Sequence, residues 1–250
     1  MDSIVKRIKL VVAYDGTAYH GWQIQPGAVT VEGVLNRAIC ELTGEDIQVV
    51  GASRTDAGVH ARGNVAVFDT DSQIPGEKFS YALNQRLPED VIIQSSEEVT
   101  ADFHPRHQNC RKTYEYTILN RKFPLPEYRH TAHFYYGTLD VKKMNAAAEA
   151  FVGEHDFAAF CSAGAQVQTT VREIYSLRVT REPEDLIKIR VQGNGFLYNM
   201  VRIIAGTLIQ VGQGRINVSE ISDIIASCDR GQAGPTAPAR GLKLVEIIYE

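Results

Sequence analysis

The sequence predicts an α+β protein built from two tandem β-α-β-β-α-β halves, and three observations carry that prediction. Short apolar or alternating runs recur in the order strand, helix, strand, strand, helix, strand, and the order then repeats. The helical stretches place their apolar residues at three- and four-residue spacing, which suits helices laid on one face of a sheet. With 250 residues and 44% hydrophobic content, the chain can bury one large core or two modest ones.

In the first half, Ile8 to Tyr14 is an apolar stretch closed by Asp15-Gly16, a strand ending in a turn. Val31, Val34, Leu35, Ala38, Ile39 and Leu42 stand at helical spacing, and Gly44 ends that helix. Ile47 to Val50 and Asn64 to Phe68 read as strands flanking a polar, glycine-containing segment. A helix around Lys78 to Leu87 and a strand from Val91 to Gln94 follow. In the second half Lys112 to Leu119 alternates strictly, Val141 to Val152 is alanine-rich and helical, and Ile174 to Thr180 with Leu186 to Val191 forms a strand pair. Phe196 to Val211 is a long apolar helix, and a helix from Ser219 to Ala226 and a strand from Leu242 to Tyr249 complete the chain. The expected architecture is therefore two ferredoxin-like halves, residues 1–108 and 109–250, with mixed antiparallel sheets packed by helices around a central cleft. Residues 120–138, rich in Pro, Tyr and His, are the nearest thing to a crossover between them.

Composition excludes several classes. The apolar run Leu10 to Tyr14 is too short for a signal-peptide core or a membrane span, so a cytoplasmic protein is expected. Cys40, Cys110, Cys161 and Cys228 form no C-x-x-C pair, which points to reduced thiols rather than a zinc ribbon or a disulfide framework. The net charge of -4 argues at first sight against a nucleic-acid partner. The charge is uneven, however: Glu89 to Asp102 holds five acids and no base, whereas Arg106, Arg111, Lys112, Arg121, Lys122 and Arg129 face only Glu115 and Glu127 over their stretch. A mildly acidic chain with such a distribution can present a basic face, although a solvated charged surface reads the same way. No P-loop, H-E-x-x-H or G-x-S-x-G pattern occurs, and Gly212 to Gly214 lacks the third glycine and preceding strand of a dinucleotide site. Asp15, His20, Asp56 and His60 suit a metal in composition but not in spacing.

Three places have the residue types for chemistry. Gly51-Ala-Ser-Arg-Thr-Asp-Ala-Gly-Val-His60 packs Arg54, Asp56 and His60 between two hydrophobic strands, the composition of a functional loop, though equally of a turn that Asp56 caps through its own backbone. On the long helix Arg202 is the sole charge. A buried guanidinium needs a carboxylate, and Asp56 is the best placed; the alternative is an Arg202 that snorkels to solvent. In Lys112-Thr-Tyr114-Glu-Tyr116-Thr-Ile118, alternation puts Tyr114 and Tyr116 on one face beside Arg111 and Lys112, fit for stacking on an unpaired base or for ordinary core packing.

Taken in order along the chain, Tyr14-Asp-Gly-Thr-Ala-Tyr-His-Gly-Trp-Gln, Arg54-Thr-Asp-Ala-Gly-Val-His-Ala, Phe103-His-Pro-Arg106, Lys112-Thr-Tyr114-Glu-Tyr116, Met200-Val-Arg202 and Ala233-Gly-Pro-Thr-Ala-Pro-Ala resemble the TruA family of tRNA pseudouridine synthases. Ser53 stands where many members have Gly, and His104-Pro-Arg106 where many have His-Ala-Arg. The resemblance implies a homodimer that isomerises uridine to pseudouridine at tRNA nucleotides 38, 39 and 40, in the anticodon stem-loop. It implies that Asp56 is the catalytic nucleophile, that Tyr114 lies against the target base, that Arg202 pairs with Asp56, and that Arg54 holds the backbone of the flipped nucleotide. The reaction is redox-neutral and consumes no triphosphate, so no cofactor and no metal are expected. Two rivals make different predictions. A non-catalytic RNA-binding module leaves Arg202 unexplained, and a carboxylate hydrolase using Asp56 with Asp15 would release free uracil.

Overall fold

In the computed structural model, which describes residues 5–165 and 167–250, the chain is α+β, with ten strands and five α-helices among the described residues. It divides into two compact units. One runs as far as Cys110 and takes in Leu244–Glu250; the other is Arg111–Lys243.

The first unit contains β1 (Lys6–Tyr14), α1 (Val31–Thr43), β2 (Val50–Gly51), β3 (His60–Thr70), α2 (Phe79–Asn84) and β4 (Val91–Val99). Its strands lie in the order β4-β1-β3, with β2 added on β3. The last strand, β10 (Leu242–Tyr249), lies beside β3 and belongs to this unit from Leu244 onward. β1 is antiparallel to both neighbours, Leu10 standing opposite Ala66 on one side and Ser96 on the other. Ile8, Leu10 and Val12 are fully buried and alternate with partly exposed residues, the period expected of a strand with one covered face. The covering helix α1 turns Val31, Leu35, Ala38 and Ile39 inward. It starts where the Thr30 side chain accepts from Gly33 N–H and stops at Gly44, whose φ of 77° is open to glycine at little cost.

Two elements of this unit are shorter than their sequence suggests. The expected strand Ile47 to Val50 contracts to Val50–Gly51, because Val49 N–H is bound by Asn36 Oδ1 at 3.0 Å instead of entering the ladder. The expected helix around Lys78 to Leu87 begins as a 3-10 turn at Gly76–Lys78 and is α-helical only over Phe79–Asn84. At its end the Asn84 carboxamide exchanges two hydrogen bonds with the backbone of Ile93, of 2.8 and 2.9 Å, and so ties the helix to β4.

The second unit holds β5 (Cys110–Asn120), β6 (His133–Tyr135), α3 (Val141–Ala148), β7 (Gly153–Asp156), β8 (Val171–Glu182), β9 (Leu186–Gly193), α4 (Met200–Gly212) and α5 (Glu220–Ser227). The strand order is β5-β9-β8-β7, antiparallel throughout, and β6 adds to β5 in parallel. Helix α3 packs on β8 and on α4.

Apart from Arg202 and Gln210, every residue of α4 is buried, as its composition requires. It starts at Met200 rather than Phe196, because Asn199 takes a left-handed conformation with φ of 60° and breaks the helix there. The segment Ala233 to Ala237 lies directly on this helix. Gly206 and Gly234 permit that contact, since a Cβ on Gly206 would stand 1.7 Å from Pro235 O and one on Gly234 2.7 Å from Thr207. Thr207 Oγ1 accepts from Gly234 N–H at 2.9 Å and donates to Ile203 O at 2.8 Å, satisfying polar groups that the contact buries.

Candidate active site

The loop from Ala52 to Val59 joins β2 to β3 and carries Arg54 and Asp56. Buried residues on either side hold it. Ala52 N–H donates to Val65 O at 2.7 Å, Trp22 N–H to Thr55 O at 3.0 Å and Gly58 N–H to Tyr19 O at 3.2 Å. Under the loop lies a buried polar network. Asn64, with no exposed surface, donates from Nδ2 to Ser53 O at 2.9 Å and accepts Ser53 N–H on Oδ1 at 3.2 Å. Its Nδ2 also approaches the Tyr14 hydroxyl at 3.3 Å, and that hydroxyl shares a 2.7 Å hydrogen bond with Thr55 Oγ1. Two of the loop's residues, Ser53 and Thr55, are thus fixed from below, while Arg54 is exposed and Asp56 half-buried. The Asp56 carbonyl accepts from Val59 N–H at 3.1 Å, closing a turn through Gly58 at φ 77°. The result is a carboxylate presented by a fixed backbone.

Glycines let neighbouring chain come this close. A Cβ on Gly51 would sit 2.3 Å from Nε1 of the fully buried Trp22, and one on Gly21 would meet Thr55 O at 2.6 Å. Gly16 N–H donates to His60 Nδ1 at 3.1 Å, so His60 closes the loop through backbone contact with the Asp15-Gly16 turn. Asp15 Oδ1 also lies 3.1 Å from that nitrogen. Among the described residues no three His, Cys, Asp or Glu side chains gather as a metal-ligand set, and all four cysteines are free.

Tyr114 and Arg202 belong to the second unit. Tyr114, on β5, is buried and meets Phe196 edge to face with ring centroids 5.2 Å apart. Tyr116 and Ile118 are fully buried, but Thr113, Glu115 and Leu119 on the opposite face are buried too, so the strand is covered on both sides rather than on one; the Tyr116 hydroxyl donates to Pro238 O at 2.9 Å, and burial raises its pKa well above the ordinary phenol value. Between Tyr114 and Tyr116, Glu115 is 8% exposed and draws Lys243, Lys188 and Arg190 to 3.3, 3.7 and 3.8 Å, which accounts for a carboxylate inside a strand. Arg202, in the first turn of α4, is half-buried; its Nε donates to Ala237 O at 2.8 Å and its Nη1 to Asn199 Oδ1 at 2.7 Å. Those two bonds orient the guanidinium plane. They also explain the left-handed Asn199, whose other end donates to Ser162 Oγ at 2.9 Å.

Sequence reasoning did not single out Asn64 or the tyrosyl hydroxyl of Tyr14 as parts of a site. The available signal was a polar residue at the head of an otherwise apolar strand, Asn64-Val-Ala-Val-Phe68.

With this geometry in view, comparison with known proteins is direct. A family model described as tRNA pseudouridine synthase matches residues 10–108 and 147–250. The chain belongs to that family and is an isomerase acting on tRNA. Its relatives include proteins named tRNA pseudouridine synthase A from Ruminiclostridium cellulolyticum, 54% identical, and from Acetivibrio thermocellus, 51% identical; each match covers 98% of this chain and all of the relative. A third, of the same name, from a Thermoanaerobacter species, is 48% identical over the same extents.

Proposed function

We propose that this protein converts uridine to pseudouridine at tRNA nucleotides 38, 39 and 40 in the anticodon stem-loop, with Asp56 as the catalytic nucleophile. The observation that supports this most is the Asp56 loop, whose backbone is held by buried hydrogen bonds at Ser53 and Thr55 while the aspartate between its neighbours remains half-buried. The reaction breaks the bond from C1′ to N1 of uracil and makes one from C1′ to C5; the proton on C5 is lost and N1 regains one. Atoms and electrons balance with no redox partner. An ionised carboxylate serves this chemistry by adding to the base, by adding to the sugar, or by removing a sugar proton to give a glycal.

Arg202 is the proposed ion-pair partner of Asp56, and its fixed guanidinium is suited to keeping a desolvated carboxylate charged. Tyr114 is proposed to lie against the flipped base, offsetting part of the few kcal/mol spent in unstacking it. Arg54, exposed beside Asp56, is proposed to hold the nucleotide's backbone. We further propose a homodimer working in the cytoplasm; among the described residues no helix is long and apolar enough to cross a membrane.

The test is nucleoside analysis of tRNA incubated with the purified protein and no added cofactor. Pseudouridine should appear at nucleotides 38–40, no free uracil should be released, and Asp56→Asn should abolish turnover while tRNA still binds. Free uracil would establish a hydrolase instead, and substantial turnover by folded Asp56→Asn would remove Asp56 from the mechanism.

A further inference from the structure

Arg106 stands at the end of Phe103-His-Pro-Arg106, far in sequence from the Asp56 loop, yet its Nε donates to Gly51 O at 2.7 Å, where that loop begins. The guanidinium is otherwise exposed, and its Nη atoms have no hydrogen-bond or ion-pair partner among the described residues. Arg54, exposed in the same loop, likewise has none. Because Arg106 is anchored on Gly51 O and Arg54 follows three residues later in the same loop, both cations stand on one short stretch of chain; partial desolvation and the like charge of Arg54 lower the pKa of Arg106. Glu32 acts in the opposite sense, but one of its oxygens is engaged by Ile24 N–H at 2.8 Å. The segment that carries Arg106 is itself fixed. Arg7 Nη1 donates to Phe103 O at 3.0 Å, the Tyr249 hydroxyl donates to Pro105 O at 3.0 Å, and Arg106 N–H donates to His104 Nδ1 at 3.2 Å. The His104 ring stacks on His107 with centroids 3.8 Å apart, which further fixes the turn.

Two guanidiniums held near one another without a protein carboxylate on their terminal nitrogens are at their most stable with an anion between them. A guanidinium fork matches the non-bridging oxygens of a phosphodiester better than it matches a compact monovalent anion.

We propose that Arg106 and Arg54 form a phosphodiester-binding site, with Arg106 coupling the RNA backbone to the Asp56 loop through its Nε bond to Gly51 O. The proposal rests on the reading of the protein as a tRNA-modifying enzyme and adds to it a residue that grips the strand beside the target nucleotide.

The experiment measures tRNA affinity against salt, in the Asp56→Asn background so that turnover does not interfere. Arg106→Gln should weaken binding about five- to tenfold at low salt and make the log-log salt slope less negative by about 0.7 to 0.9, the loss of one phosphate contact. Arg106→Lys keeps the charge and should restore most of the slope. An unchanged slope in a folded Arg106→Gln protein, checked by circular dichroism, overturns the proposal. So does an equal loss in both variants with no change of slope, the mark of an arginine that only braces Gly51. Failure of the underlying reading is separate: a parent protein whose tRNA binding shows no salt dependence, or an Asp56→Asn protein that still turns over, points to that reading and not to Arg106.

Discussion

Replacing Asn64 by leucine tests whether the Asp56 loop owes its shape to the buried network beneath it. The two side chains are close in size, so the change removes hydrogen bonds without opening a cavity. Ser53 N–H and Ser53 O lose their 3.2 and 2.9 Å partners, and Val65 N–H loses a 3.0 Å contact to the same carboxamide oxygen. Each buried backbone group stranded in this way costs about 1–3 kcal/mol, giving about 2–6 kcal/mol for the two at Ser53. Burial of the leucine's apolar surface returns about 1–2 kcal/mol. A net loss of about 0–5 kcal/mol, centred near 2.5, follows, which leaves a protein of ordinary stability folded at moderate temperature. Under the proposed catalytic role of Asp56, the expected functional effect is larger than the stability loss suggests, because the loop that holds Asp56 would sample positions away from the reacting atoms. Urea titration should show a lowered midpoint at unchanged slope. At a temperature where the variant is fully folded, kcat should drop by about tenfold or more while tRNA affinity stays within a few-fold of the parent. A variant with the parent's urea midpoint and the parent's kcat would show that the carboxamide does not hold the loop.

Other substitutions probe the remaining contacts. Gly206→Ala places a Cβ 1.7 Å from Pro235 O, so the segment on α4 must move; a loss of about 3 kcal/mol in denaturant titrations is expected, and a neutral result would mean that the segment is not tightly seated there. The Arg7 guanidinium, 2.7 Å from Asp69 at two atoms, holds that carboxyl below the usual carboxylate range. Its stabilising contribution is therefore complete above the ordinary carboxylate pKa and is lost as pH falls through the lowered one, so Arg7→Gln should flatten the acid limb of the stability-pH curve; an identical limb would refute the pairing. Under the proposed pairing of Arg202 with Asp56, Arg202→Met raises the aspartate's pKa, so activity should be poor at neutral pH and recover in part as pH rises. Parent-like rates with the same acid limb in the pH-rate profile would disprove that pairing.

The sequence by itself determined the element order of the first unit, the apolar face of α1, the shared face of Tyr114, Tyr116 and Ile118, and the identity of the loop carrying Arg54 and Asp56. These are local properties: periodicity, glycine stops and residue types within one short segment write them directly. Only the tertiary structure decided where α4 begins, because the left-handed Asn199 answers to Ser162, 37 residues away, and not to its apolar neighbours. It likewise withdrew Val49 from the sheet through Asn36 and shortened α2 against Ile93. The support of the Asp56 loop was hidden for the same reason. Tyr14 and Asn64 lie 41 and 11 residues from their partners Thr55 and Ser53, and Arg106 lies 55 from Gly51. A hydrogen bond is a short-range interaction in space with no period along the chain, so the pattern of residues announces which groups need partners, and the fold alone chooses them.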